Sequence, residues 1–117
     1  MYRFEKLLVW QKSMDLAVQV YQATASFPRE EMFGLTSQMR RAGVSIPSNI
    51  AEGQSRNSTG EFKHFLGIAM GSLAELETQV ELAKRLTYLT PALAAQLEAA
   101  CVEIGKMING LLRSLPS

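Results

Sequence analysis

The segment FKHFLGIAMGSLAELETQVELA, residues 62–83, decides the fold of this chain. Its apolar residues recur at alternating spacings of four and three, the pattern of a helix that packs lengthwise against other helices at small angles. The segment therefore predicts a long amphipathic helix in an all-helical protein. The residues that hold this spacing are Phe62, Leu66, Ala69, Leu73, Leu76, Val80 and Ala83.

A helix from about Leu8 to Ser26 is predicted upstream, because two apolar seams run side by side along it. Pro28 ends it, since the residue before a proline disfavours helical backbone. Core packing explains Trp10 and Tyr21 better than stacking on bases does. One seam contains Trp10, Met14, Ala17, Tyr21 and Thr24, and the other contains Leu16, Val20, Ala23 and Phe27.

The second helix is predicted from about Gly34 to near Arg56. It contains Pro47, which removes one backbone hydrogen bond and is expected to bend the helix. The third helix begins at the capping box Ser58–Glu61, in which the serine and glutamate cap each other's backbone amides. Thr90-Pro91, a cap residue before a proline at the first helical position, begins the fourth helix.

The connections between these helices are short, and the sequence contains neither runs of alternating β-branched residues nor internal repeats. We therefore predict one domain over residues 1–117, an antiparallel up-down-up-down four-helix bundle of the all-α class. The predicted core seam of the fourth helix is Leu93, Leu97, Ala100, Ile104, Met107 or Ile108, and Leu111.

The composition limits the function. Twelve basic and eleven acidic residues give a net charge of +1, without the positive excess that dedicated nucleic-acid binders usually carry. The single cysteine, Cys101, excludes an intramolecular disulfide, and the chain begins without the apolar stretch of a signal peptide. No apolar run is long enough to span a membrane. We expect a cytoplasmic protein without a membrane segment.

Polar side chains of the second helix gather on one side of the segment QMRRAGVSIPSNIAEGQSR, residues 38–56. At about 100° per residue they fall within an arc of about 100°. The arc carries arginine and short hydrogen-bonding groups. These side chains are better suited to ordered contacts than to exposure to free solvent. Its members are Gln38, Arg41, Ser45, Ser48, Asn49, Glu52 and Arg56.

Two interpretations of this arc remain open. In the first, its residues form a polar network with the third helix that fixes helix register or a subunit contact. This network would join Ser45, Asn49 and Glu52, together with Arg41, to Ser72, Glu75 and Gln79.

In the second interpretation, Arg40, Arg41 and Arg56 bind phosphates of a nucleic acid, or a partner protein, and Ser45 and Asn49 add hydrogen bonds. Glu52 lies within the arc and would repel a phosphate backbone, which favours the network. Arg40 lies off the arc and is the better candidate for an exposed ligand contact.

The sequence offers no catalytic or metal-binding constellation. Glu61-x-x-His64 matches one half of a di-metal bundle motif, but the chain has no second histidine to complete it. Cys101 lies on a different helix from that only histidine and lacks an adjacent base. Gly67 and Gly71 lie inside the third helix, where they are expected to allow close helix contact. We predict no enzyme activity, no metal and no cofactor.

Three segments carry a resemblance over about the whole chain: FEKLLVWQKS, FPREEMFGLTSQMRRAGVSIPSNIAEG and GSLAELETQVELAKRL. They resemble the four-helix-bundle family named for proteins encoded in intervening sequences of bacterial 23S ribosomal RNA genes. A related branch is similar to the accessory proteins of diversity-generating retroelements, basic homopentamers implicated in binding nucleic acid and a reverse transcriptase. The resemblance implies a homopentamer. The near-neutral charge of this chain departs from the basic branch.

The leading hypothesis is a non-enzymatic, oligomeric interaction or scaffold protein that presents a surface to a protein partner. Its subunit contacts are expected on the second helix and on a flank of the third, which includes Ile68, Leu82 and Leu86. The alternative is binding of structured RNA or DNA through arginines that are repeated around the oligomer.

Overall fold

The computed structural model describes residues 3–116, which form four α-helices and two short 3₁₀ turns and contain no β-strand. Each helix packs against two others: α1 and α3 both contact α2 and α4, and the α2–α3 contact is the most extensive. This arrangement confirms the predicted four-helix bundle, which measures 44 × 23 × 20 Å. The helices are α1 (Leu8–Thr24), α2 (Leu35–Gln54), α3 (Thr59–Arg85) and α4 (Pro91–Ser114), and the 3₁₀ turns are Phe4–Lys6 and Arg29–Glu31.

The apolar spacing of α3 forms the centre of the core, as predicted. Six of its seven seam residues are buried, and Phe62 packs against them with part of its ring exposed. The predicted apolar side of α2 is also buried. These core residues are Leu66, Ala69, Leu73, Leu76, Val80 and Ala83 of α3, with Leu35, Met39, Ile46 and Ile50 of α2.

The second α1 seam enters the core more fully than the first, of which Ala17 and Thr24 are buried and Trp10 is partly buried. Leu16 and Val20 are fully buried, whereas Met14 is 41% exposed and Tyr21 is 46% exposed. The predicted core packing of Tyr21 is therefore wrong, while Trp10 is partly buried against the core. Periodicity identifies two apolar faces on this helix, but it does not specify which of them the other helices cover.

The helix starts follow the predicted capping signals. The Ser58 hydroxyl accepts a hydrogen bond from the Glu61 backbone amide at 3.1 Å, and Thr90 does the same for Leu93. The reciprocal contact of the capping box differs from the prediction, because the Glu61 carboxylate accepts the Ser58 hydroxyl at 3.3 Å. At the start of α4, Ala94 is buried and Leu93 is exposed, so the core seam begins one residue later than predicted.

Close contact between α2 and α3 depends on Gly53. A Cβ atom at this position would lie 2.8 Å from the Phe65 Cβ and 3.3 Å from the Phe62 carbonyl oxygen. A Cβ atom at Gly67 or Gly71 would lie within 4 Å of no other helix in the part of the chain that the structure describes, so the close helix contact predicted for these glycines is wrong within one subunit.

The α2 helix continues through Pro47, whose predicted bend stays a prediction. No helix among the described residues combines the length and apolarity needed to cross a membrane.

Candidate interaction surface

The polar arc of α2 faces α3 along a line that we call the polar seam. The Ser45 and Ser72 hydroxyls are 2.7 Å apart and share one hydrogen bond. The Asn49 amide donates to the Ser45 carbonyl at 2.8 Å and to its hydroxyl at 2.9 Å. These half-buried groups satisfy one another, and the serine pair joins α2 to α3.

Arg56 completes the polar seam where α2 ends and α3 begins. Its guanidinium lies 2.6 Å from the Glu52 carboxylate, 3.9 Å from that of Glu61, and over the Phe65 ring at 4.9 Å. The side chain of Arg56 therefore bridges two helices of its own chain. Both carboxylates reduce the positive potential that a phosphate would meet at this point.

Arg40 lies on the other side of α2 and binds α1. Its Nε donates to the Thr24 hydroxyl at 2.9 Å, and the guanidinium stacks over the Tyr21 ring at 4.5 Å. Arg40 is half-buried, so the structure differs from the fully exposed contact that its position off the arc predicted. Tyr21 nevertheless stays 46% exposed.

Arg41 is the predicted site arginine that keeps an exposed guanidinium without an ion pair or side-chain hydrogen bond to a described residue. It lines a 430 Å³ crevice between α2 and α3, which also contains Gln38, Ser45 and Glu75. Arg40 and Arg41 line one cleft in the first half of α2, whereas Arg56 lies beyond the far end of this helix. Within one subunit the three arginines form no common phosphate site.

Gln79 is buried, with 6% of its surface exposed. No group of the described residues donates a hydrogen bond to its amide oxygen. It shares its helix with Ser72 and Glu75, yet it adds no hydrogen bond of its own to the polar seam. Of the predicted α3 members of the network, only Ser72 is bonded to α2.

On the opposite side of α2, exposed apolar residues form what we call the α1–α2 apolar surface. It combines the outward seam of α1 with one residue of α2 and two from the loop between them. Its large members carry no charge, although each is at least 41% exposed. They are Met14, Val18 and Tyr21 of α1, Val44 of α2, and Met32 and Phe33 of the loop.

This surface contains a 390 Å³ depression, the apolar pocket, between the first half of α1 and the second half of α2. No charged residue lines it. Pro47 and Ala51 supply its α2 wall and Trp10 and Met14 its α1 wall. The remaining lining residues are Phe4, Ala17, Val44 and Ser48.

At the other end of the surface, a 590 Å³ cleft lies beside the α1–α2 loop. Tyr21, Phe33 and Val44 give it apolar walls, and Arg40 and Arg41 place two cationic groups at its margin. Sequence reasoning overlooked this cleft and Phe33. The available signal was an aromatic residue in a short polar connection, where no core seam explains it.

Contacts with the α3–α4 loop hold the α1–α2 loop in place. One Glu31 carboxylate oxygen accepts the Leu35 amide at 3.1 Å, which caps α2, and the other accepts the Tyr88 hydroxyl at 3.0 Å. This hydrogen bond to the Glu31 carboxylate raises the pKa of Tyr88. The Tyr88 and Phe27 rings pack with their centroids 5.3 Å apart. The loop that presents Phe33 is therefore pinned at several points.

Cys101, the candidate nucleophile, is buried, whereas His64, the candidate metal ligand, is exposed. Cys101 is fully buried, and burial raises the pKa of its thiol to about 12. His64 is exposed and packs edge-on against Phe65. Among the described residues, no group of three or more His, Cys, Asp or Glu side chains is arranged to hold a metal ion.

Comparison with known proteins gives a family and a structural relative. The model of the family described as 23S rRNA-intervening sequence protein matches residues 5–110. The chain is also similar to the crystal structure of a protein of unknown function from the S23 ribosomal protein family of Bacteroides thetaiotaomicron, with 27% sequence identity and a TM-score of 0.82. That similarity covers 92% of this chain and 100% of the other. No curated protein matches the chain significantly.

Proposed function

Because this chain belongs to the family of 23S rRNA-intervening sequence proteins, as its sequence resemblance predicted, we propose that it is a non-enzymatic, oligomeric interaction or scaffold protein. The related crystal structure is of a protein of unknown function. Support for the proposal therefore comes from the surface of this chain.

The observation that carries the proposal is the α1–α2 apolar surface. Monomeric soluble proteins rarely expose large contiguous apolar patches, and such patches mark interaction sites. Met14, Val18, Tyr21 and Val44 lie on neighbouring helices and face outward together. Their burial by another subunit contributes about 25 cal/mol for each Å² of apolar surface removed from water. The polar seam, by contrast, is bonded within the chain.

Family resemblance supports five subunits in this assembly. A ring with an odd number of subunits needs head-to-tail contacts, in which two different patches of the chain meet. The flank of α3 supplies a second exposed apolar strip, Ile68, Leu82 and Leu86, for a neighbouring subunit or a protein partner. The reduced, buried Cys101 is consistent with a cytoplasmic location.

Native mass spectrometry at micromolar concentration tests this proposal, with light scattering as a second measure of mass. We expect a defined oligomer for the wild type and a smaller species for Val18→Asp, which places a charge on the apolar surface. Gln22→Asp is the matched control on the same helix, because Gln22 is exposed and lies off this surface. A monomeric wild type would overturn the proposal.

The alternative function, binding of structured RNA or DNA, is supported by Arg41. This exposed arginine lies beside the rings of Tyr21 and Phe33 in the 590 Å³ cleft. Arginine and aromatic side chains together bind phosphates and stack on unpaired bases. Arg40 and Arg56 are engaged with groups of their own chain, whereas Arg41 has no ion pair to any residue that the structure describes.

Fluorescence anisotropy with labelled RNA hairpins and duplex DNA, at about 50 and about 200 mM salt, tests the alternative, because phosphate binding weakens steeply over this range. Salt-sensitive binding that Arg41→Ala abolishes and Arg85→Ala preserves would support it. Arg85 is an exposed arginine on α3 and serves as the matched control. Absence of binding at the lower salt would exclude the alternative.

A further inference from the structure

Phe33 is the most exposed large hydrophobic residue among those described, with 93% of its surface accessible. It is nevertheless presented by a pinned loop. Glu31, two residues earlier, caps α2 and accepts a hydrogen bond from the Tyr88 hydroxyl. Gly34, the residue after Phe33, is the N-cap of α2. A large apolar side chain carried into solvent by a restrained loop has the properties of an interface anchor, because the loop loses little conformational entropy when a partner buries the side chain.

The apolar pocket can receive such an anchor, but not the one of its own chain. Its α2 wall begins at Val44, which lies about 14 Å along the helix axis from Leu35, the first residue of α2. Phe33 precedes Leu35, so the same chain presents the aromatic side chain at one end of the α1–α2 apolar surface and the pocket at the other. A second copy brings the two together.

The charges beside these two features are complementary. Arg41 lines the same cleft as Phe33, and its guanidinium has no ion pair to a described residue. Asp15 follows Met14 of the pocket wall, is exposed, and likewise has no ion pair or side-chain hydrogen bond to a described residue. A copy that brings Phe33 and Arg41 to the α1 side of the pocket approaches the helix that carries this carboxylate, which favours a second copy as the occupant.

The geometry points to a subunit contact in which Phe33 of one copy enters the apolar pocket of another copy, with Arg41 of the first near Asp15 of the second. The inference rests on the proposed oligomeric function and deepens it by naming the surface. Phe33 and the pocket are different patches, as a head-to-tail ring requires.

Cross-linking between differently tagged chains tests this contact. One chain carries Met32→Cys, an exposed position beside the intact anchor Phe33, and the other, of different length, carries Ser48→Cys, since Ser48 is an exposed residue of the pocket lining. The chains are co-expressed and treated with a short bis-maleimide, and the native Cys101 stays buried. The control pair replaces Met32→Cys with Val102→Cys, an exposed position on α4.

We expect a covalent product that contains one chain of each length for the Met32→Cys pair and none for the Val102→Cys pair. Native mass measurement of the same samples separates the two proposals. An oligomer whose two pairs cross-link equally, or not at all, overturns the Phe33 contact and leaves the scaffold function standing. A monomer overturns both.

Truncation of the anchor gives an independent measurement. Phe33→Ala should raise the dissociation constant of the oligomer by at least roughly 30-fold, the effect of losing an interface hot spot. Val102→Ala, which removes a side chain that is also exposed, should leave the constant unchanged within about threefold. Circular dichroism checks that both variants keep the helical content of the wild type. Equal constants for the two variants would contradict the inference.

Discussion

The two sides of α2 differ in how completely the chain satisfies its own groups. Toward α3, the polar seam pairs Ser45 with Ser72 and Glu52 with Arg56, so its hydrogen-bonding groups have partners within the subunit. Toward the outer side of α1, Met14, Val44 and Phe33 extend into solvent and have no covering element. The side of α2 toward α3 has bonded polar groups within the monomer. The other side exposes apolar surface, and its burial would be favourable.

This difference changes the interpretation of the polar arc. Short hydrogen-bonding side chains indicate an ordered contact, and here the contact is mainly with α3 of the same subunit. The surface available to a partner is the apolar one, which the sequence pattern placed in the core at Tyr21. A polar stripe and an exposed apolar stripe on one helix therefore indicate different contacts. The polar stripe makes contacts within the subunit, and the apolar stripe is available to other molecules.

The largest expected effect is the difference in unfolding free energy between a buried and an exposed residue of α1. Leu16→Ala should lower the free energy of unfolding by about 2–5 kcal/mol, because it leaves a cavity in the core. Met14→Ala should change subunit unfolding by no more than about 0.5 kcal/mol, because Met14 faces solvent. Urea unfolding at two protein concentrations measures both and reveals any contribution from association. Equal losses for the two variants would show that the outward seam is part of the core.

Substitutions at two glycines compare the contact between α2 and α3 with a side of α3 that the other helices leave uncovered. Gly53→Ala should destabilise the protein by about 1–3 kcal/mol, because its methyl group would overlap Phe65 and the Phe62 carbonyl. Gly67→Ala should stabilise the helix by up to about 1 kcal/mol, since its position is open within the chain. Thermal unfolding measures both changes. A destabilising Gly67→Ala would indicate that another copy packs closely against α3.

A double-mutant cycle tests whether the polar seam holds α2 against α3. Ser45→Ala and Ser72→Ala should each cost about 1 kcal/mol, and the double variant should cost less than the sum by about 0.5–1.5 kcal/mol. Chemical denaturation of the four proteins gives the coupling energy. Strict additivity would remove the serine pair as a determinant of helix register.

The smallest effect concerns the charges that flank the apolar surface. Arg41→Glu or Asp15→Arg alone should weaken assembly by roughly two- to fivefold, as expected for an exposed ion pair, and the double reversal should restore it. Sedimentation equilibrium at low and high salt measures the change, which added salt should reduce. Failure of the double variant to recover affinity would place these two residues apart in the oligomer.

Much of the fold could be predicted because its signals are local. The spacing of four and three in α3, the caps at Ser58 and Thr90, and the buried side of α2 at Ile46 each depend on residues within a few turns of one another. The register of α4 was less certain at its first turn, where Ala94 rather than Leu93 faces the core. There the periodic pattern is satisfied about equally by neighbouring residues.

The candidate site was predicted only in part. Ser45 contacts Ser72 of α3, whereas the Asn49 amide bonds to Ser45 of its own helix rather than to α3. Arg40 was expected to be exposed, yet it packs on α1, because Thr24 and Tyr21 come close to it only when the two helices are assembled. Helical periodicity does not predict contacts between residues that are so distant in the chain.

The sequence by itself determined the helices, their caps and the presence of two apolar faces on α1, since these follow from backbone geometry and from the spacing of side chains along a single helix. Only the tertiary structure decided which face is buried. Four helices enclose one core, so just one side of each can point inward, and that choice leaves Met14 and Tyr21 outside beside Val44. It also brings Glu31 to Tyr88, which fixes the loop that presents Phe33.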